Sequence, residues 1–128
     1  MNTTTVTATP TLLREALKFD GFATLPSGVL LAALAGVLAD PLGIPTGVLV
    51  GAGLFFIAWG AGLLYLGTRP VVNRRAAAAV GIVNVLCAVD GVAVALMADL
   101  TTPGTIALLA LSVLVAGIGA VQLFAARR

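Results

Sequence analysis

Histidine is absent from this chain, and cysteine occurs once, as Cys87. Without an imidazole there is no side chain that titrates unperturbed near neutral pH, and no histidine ligand for haem or zinc. A single thiol excludes an intrachain disulfide and a Cys-x-x-Cys pair, which argues against a membrane thiol oxidoreductase. Charge is nearly as scarce. Only 9% of the 128 residues are charged, seven Lys or Arg against five Asp or Glu. A soluble domain carries about 25%, and a body of this size has much surface for its volume. So few charges cannot cover that surface. The net charge of +2 is also no basic footprint for nucleic acid, which needs Lys and Arg clustered on a solvated face.

What is present is apolar. Hydrophobic residues make up 60% of the chain, so the solvent expected for most of it is lipid. The reading is one all-α domain of a polytopic membrane protein, residues 11–128, behind a Thr-rich flexible tail at 1–10. That tail has neither a basic start nor an apolar centre, so it does not read as a secretory signal. Four apolar runs cover about 22–39, 46–67, 76–98 and 105–126. Each is close to the ~20 residues that cross ~30 Å of hydrocarbon. Each is expected to be a helix, since lipid offers no partner to a bare peptide group. A β-barrel would need alternating segments of ~10 residues, and none is seen.

The ends of the runs carry turn chemistry at DPLGIPT, TRPVVNRR and DLTTPGT. Pro26 either kinks the first span or marks its start. Before it, LLREALKF places Leu12, Leu13, Ala16 and Leu17 on one arc, with Arg14, Glu15 and Lys18 opposite. This stretch either lies in the membrane interface or extends the first helix.

Basic residues are distributed one-sidedly. Arg14 and Lys18 precede span one, Arg69, Arg74 and Arg75 separate spans two and three, and Arg127 and Arg128 follow span four. The other two connections hold only Asp40 and Asp99. The positive-inside rule then predicts both termini and the middle loop in the cytoplasm, with the protein in the cytoplasmic (inner) membrane. Phe19, Phe22, Tyr65 and Phe124 would form a partial aromatic belt on that side. Trp59 lies off any belt and is expected to pack within protein.

Small residues recur at heptad spacing in every span. Gly53, Gly60 and Gly67 correspond, at a shift of 59 positions, to Ser112, Gly119 and Ala126. Gly21, Gly28 and Ala35 parallel Gly81, Ala88 and Ala95. Such stripes form seams where helix backbones approach closely. Two helical hairpins of the same orientation are expected, related by a pseudo-two-fold along the membrane normal.

The KFDG start of span one, the ADP turn, GLFFIAWGAGLLYLGTRP and VNVLCAVDG resemble small four-helix integral membrane proteins of actinobacterial type. The resemblance covers residues 12–126 loosely and implies no activity. The chain departs from the small multidrug resistance family, which places a Glu in its first membrane helix. It also lacks the His, Glu and Asn motifs of chlorhexidine-type exporters.

Asp90 is the candidate intramembrane ionisable site. It falls fourteen residues into span three, where a charged Asp costs about 2.5–3.5 kcal/mol at a helix centre. It reads either as a proton or cation site or as an acid hydrogen-bonded to a neighbour. On a helical wheel it points away from the Gly81–Ala88–Ala95 stripe, toward lipid or another subunit. Asp20, Thr24 and Ser27 share one face of span one. They suit either an interfacial ion pair of Asp20 with Arg74 or Arg75, or a polar vestibule leading toward Asn84 and Asp90. Asn84 reads as interhelical glue and Cys87 as a small apolar residue.

No pair of titratable groups sits at catalytic spacing, so an enzyme is not expected, nor a metal site or cofactor. Two roles remain. One is a non-catalytic accessory or scaffold subunit, working as a homo-oligomer or in a larger membrane complex. The other is a small oligomeric proton- or cation-coupled carrier or channel that uses Asp90.

Overall fold

The computed structural model describes residues 11–127, which are helical apart from short connections. The expected tail at 1–10 lies outside them. The order is α1 (Thr11–Ala33), α2 (Ala35–Leu42), α3 (Thr46–Thr68), α4 (Arg74–Met97) and α5 (Thr102–Ala126). Helices α3, α4 and α5 are long and apolar enough to cross a membrane. Helices α1 and α2 make a fourth candidate only if taken as one broken span, since they meet at 88°.

This decides the open lower end of the expected first span at 22–39 and breaks its continuity. Residues 11–21 extend α1, so the amphipathic stretch is the lower part of the same helix. Its apolar arc explains this, because Leu13 and Leu17 are wholly buried against the bundle. The continuous run then breaks at Leu34. There the Val37 amide donates to the Leu34 carbonyl at 3.0 Å, which tightens the turn. Pro26 neither starts nor ends a helix; α1 runs through it. The expected turn at 40–46 is partly helical too, with Asp40 and Pro41 inside α2. The chain turns only at Gly43, at φ 70°, where its amide donates to the carbonyls of Ala39 and Asp40. Glycine suits that left-handed position because it has no Cβ to clash.

The remaining starts are capped locally. Asn73 Oδ1 accepts from the Ala76 amide at 3.1 Å, and Thr101 Oγ1 accepts from the Gly104 amide at 3.1 Å. Each satisfies a donor that the first turn leaves free.

The chain packs as two pairs, α1 on α3 and α4 on α5, and the small residues mark the lines of contact. A Cβ on Gly28 would lie 2.6 Å from the Gly53 carbonyl oxygen, and one on Gly60 would lie 2.7 Å from the Leu25 nitrogen. Gly67 sits against Leu17 and Lys18. In the second pair Ala88 and Ala95 are buried, and Ser112 Oγ fills the space beside Gly91.

One contact recurs in both pairs. A Cβ on Gly21 would lie 2.7 Å from Leu64 Cγ and 3.0 Å from the Gly60 oxygen. A Cβ on Gly81 would lie 2.8 Å from Leu123 Cγ and 3.0 Å from the Gly119 oxygen. Without a hydrophobic drive between helices in lipid, such close approach lets dispersion hold them.

The pairs join at both ends. At one end Leu13, Leu17, Leu63, Val72, Ala77, Val80 and Ala125 form the apolar core, with Trp59 packed against it. Trp59 also stacks on Phe55, centroids 5.8 Å apart. Arg14, Arg69 and Arg74 gather at this same end. Arg14 donates to the carbonyls of Gly67 (2.7 Å), Arg69 (2.6 Å) and Pro70 (3.0 Å), while Arg74 reaches the Ala126 carbonyl at 3.2 Å. At the other end Thr101 donates to the Pro41 carbonyl, and Leu42 backs onto Gly104. Outward, Leu30, Val37, Leu54, Leu86, Leu96 and Val113 are exposed, an apolar belt that water would not tolerate.

Candidate functional site

Three helices each send a carboxyl or amide side chain into the interior: Asp20 from α1, Asn84 from α4 and Gln122 from α5. All are buried, Gln122 completely. They form a closed triangle. Asp20 Oδ2 accepts from Asn84 Nδ2 at 2.9 Å and from Gln122 Nε2 at 2.7 Å. Asn84 Nδ2 also donates to Gln122 Oε1 at 2.7 Å. Thr24, one turn along α1, donates to the remaining Asp20 oxygen, Oδ1, at 3.0 Å. The carboxyl therefore receives three hydrogen bonds.

Local sequence explains the placement. Asp20 is three residues past the buried Leu17 and one before Gly21, so it lies on the face that meets the bundle. Asn84 follows Gly81 by three and Gln122 follows Gly119 by three, so the small-residue stripes carry both amides inward. Among the described residues no buried side-chain nitrogen or oxygen lacks a partner. A network in this state ties the two helix pairs together, whereas one missing member would leave a costly unpaired group.

The expected residues thus divide. Asp20, Thr24 and Asn84 come together. Ser27 does not; it is exposed and its hydroxyl donates to the Ala23 carbonyl at 2.6 Å. The expected ion pair of Asp20 with Arg74 or Arg75 is not formed. Asp20 sits nine residues into α1, about 14 Å along its axis, and its oxygens are occupied by amides and a hydroxyl. Arg74 caps α5 instead. Gln122 was not anticipated. Its signal was present in the three-residue spacing from Gly119, but a lone Gln near a helix end also reads as an interfacial residue. Arg14, placed by the wheel opposite the apolar arc, closes the last carbonyls of α3, where a cation suits the helix dipole.

Asp90 stands apart. It is exposed on α4, and its carboxyl makes no hydrogen bond or ion pair among the described residues. It lies seven residues before Met97, about 10 Å from that end of the helix and about 7 Å past its midpoint. It is on the side of α4 opposite Gly81 and Ala88, which face α5. Cys87, one turn away, is exposed as well.

Two shallow depressions of about 300 Å³ each mark the surface. One lies along α4 and α5 by Ala88 and Ser112. The other lies between α3 and α4 by Trp59 and Leu63. Both have nearly all-apolar walls, and neither is lined by Asp20 or Asp90. Comparison with known proteins finds no family model, no curated protein and no solved structure that matches this chain.

Proposed function

We propose that this chain is a four-span protein of the cytoplasmic membrane and acts as a non-catalytic accessory or scaffold subunit of a membrane assembly. In this reading α1 and α2 together make the first, broken span. Both termini face the cytoplasm, because the basic residues gather at the end where α1 and α4 begin and α5 ends. The two helix pairs are repeats about a pseudo-two-fold along the membrane normal. The matched contacts of Gly21 with Gly60 and of Gly81 with Gly119 support that relation.

One observation carries the functional reading. The buried carboxyl and amide side chains of the bundle are used on one another, while Asp90 has no partner among the described residues and lies on an apolar outer face. A closed network with apolar depressions beside it suits a rigid body better than a proton path. A carboxyl facing lipid is expensive, so its natural place is a contact with another membrane protein.

The experiment compares wild type, Asp90→Asn and Asp90→Leu. Native gels of membranes solubilised in mild detergent should show a species larger than the monomer, kept by Asp90→Asn and lost in Asp90→Leu. Purified protein in liposomes should show no pH-driven flux above empty vesicles. Flux present in wild type and absent in Asp90→Asn would instead establish the carrier role.

A further inference from the structure

Helices α3 and α4 follow one another in the chain yet hardly touch. Each packs on its own partner, α3 on α1 and α4 on α5, and the two pairs are joined chiefly through α1 and α5. The depression of about 300 Å³ between α3 and α4 is what this arrangement leaves open. It lies in the half of the bundle where α3 ends and α4 begins. Trp59, Gly62 and Tyr65 line it from α3 and Val80 from α4, and its walls are nearly all apolar. One turn of a helix, about 10 Å wide and 5.4 Å tall, takes roughly 400 Å³, so the space is too small to seat one. An acyl chain is slimmer.

The mouth of this depression is cationic. Arg69 holds its guanidinium 5.0 Å from the ring centroid of Tyr65, which is one of the walls. A guanidinium stacked on a ring face keeps its N–H fork free at the edge. Arg14 and Arg74 spend their forks on carbonyls. Arg69 and Arg75 are exposed, and their guanidinium groups make no hydrogen bond or ion pair among the described residues. Nor is an acid at hand to meet them. None occurs between Asp40 and Asp90. Glu15 pairs with Lys18 at 3.6 Å, and Asp20 is taken up in the buried triangle. Depth agrees as well. The 23 residues of α3 span about 35 Å, a little more than the ~30 Å of hydrocarbon. Arg69, the next residue, then stands at the level of lipid phosphates.

We propose that this depression holds an acyl chain of an anionic glycerophospholipid whose phosphate is bound by Arg69, with Arg75 adding charge at the same end. Such a lipid requires only that α3 and α4 cross the membrane, and it is independent of the role given to Asp90.

Each part of the site suits one part of that lipid. The free fork of Arg69 can meet two phosphate oxygens at once. Tyr65 is an amphipathic ring of the kind that sits at headgroup level, and its hydroxyl has no partner among the described residues. Below it, the apolar walls and Trp59 receive the chain. A basic pocket between membrane helices selects anionic headgroups. A zwitterionic lipid brings its own cation, which the arginines repel.

Trp59 is the one tryptophan of the chain and lines the depression, so its fluorescence reports what lies there. The full chain is reconstituted in phosphatidylcholine vesicles with a minor share of phosphatidylglycerol, one lipid or the other carrying bromine at mid-chain. Bromine quenches only at contact. The expected result is that brominated phosphatidylglycerol quenches Trp59 well beyond its share of the bilayer. Arg69→Gln should lower this preference about fivefold. Arg127→Gln removes the same charge at the end of α5, off the walls of the depression, and should leave the preference intact. Gly62→Leu adds a side chain where nothing lies within 4 Å of the new Cβ. It should keep wild-type circular dichroism and lose the preference, because the side chain takes the place of the acyl chain.

Quenching in proportion to bulk composition would overturn the proposal. So would a preference reduced equally by Arg69→Gln and Arg127→Gln, which marks diffuse surface charge, or one unchanged in Gly62→Leu. Quenching by neither lipid would show protein covering the depression and overturns it too. None of these outcomes bears on the accessory role, whose own test is the Asp90 series.

Discussion

Gln122 and Asp20 lie 102 positions apart in the chain and share a buried hydrogen bond of 2.7 Å. That bond and its neighbour from Asn84 are a polar link between α1 and the α4–α5 pair, beside the apolar core at this end. Because each corner of the triangle bonds both others, loss of one leaves two buried groups short of a partner.

Gln122→Leu should therefore lower stability by about 1–2 kcal/mol, since it removes one donor to Asp20 and the acceptor of Asn84. Asp20→Asn, which keeps an acceptor, should cost less. Ser27→Ala should be near neutral, since Ser27 bonds only its own helix. Melting temperatures in a single mild detergent would rank the three, and equal values for Gln122→Leu and Ser27→Ala would contradict the role given to the triangle.

The glycine seams make a sharper contrast. Gly60→Leu and Gly119→Leu should each cost about 1–3 kcal/mol or more, because the new side chain meets backbone or packed carbon. Gly62→Leu and Gly117→Leu introduce the same group where nothing lies within 4 Å of the new Cβ. Those two should be tolerated. Thermal stability of all four in detergent checks the prediction, and the two classes must separate.

Arg14 supplies a third case. Its guanidinium spans three carbonyls at the end of α3 and the start of the following connection. Arg14→Lys keeps the charge but offers a single point of contact instead of a fork. Amide hydrogen exchange at residues 66–69 should rise in Arg14→Lys and rise further in Arg14→Ala. Exchange at Thr101–Thr105, at the other end of the bundle, should stay unchanged in both.

Orientation is open to a direct check. Single cysteines at Thr46 or Thr102, in a Cys87→Ala background, should react with an impermeant thiol reagent added outside intact cells. One at Asn73 should react only after the membrane is opened. The reverse pattern would invert the orientation drawn from the basic residues and leave the helix boundaries untouched.

Much of the architecture was legible before any coordinates. Spans at 46–67, 76–98 and 105–126 lie within three residues of α3, α4 and α5 at every boundary. Length, apolarity and the need to satisfy the backbone act locally, so composition reveals them. The Gly60 and Gly119 stripes were legible for the same reason: a small residue every seventh position marks a close line of contact whatever lies across it. The first span was less so. The break at Leu34 falls within an unbroken apolar run, and the turn of the chain is set by how α2 and Leu42 seat against Gly104.

What the sequence determined by itself was therefore the helical class, the apolar belt, the seam positions and the outward direction of Asp90, all of which follow from periodicity along one helix. The tertiary structure alone decided which polar groups meet. Asp20 is near in sequence to Lys18 and has the charge to pair with Arg74, yet it bonds Asn84 and Gln122. Partner choice depends on how helix axes cross and at what depth, and those are properties of the packed bundle that no single helix encodes. The same physics made Arg14 a cap for a distant helix: its reach is local, but the carbonyls it closes arrive only when α1 and α3 are side by side.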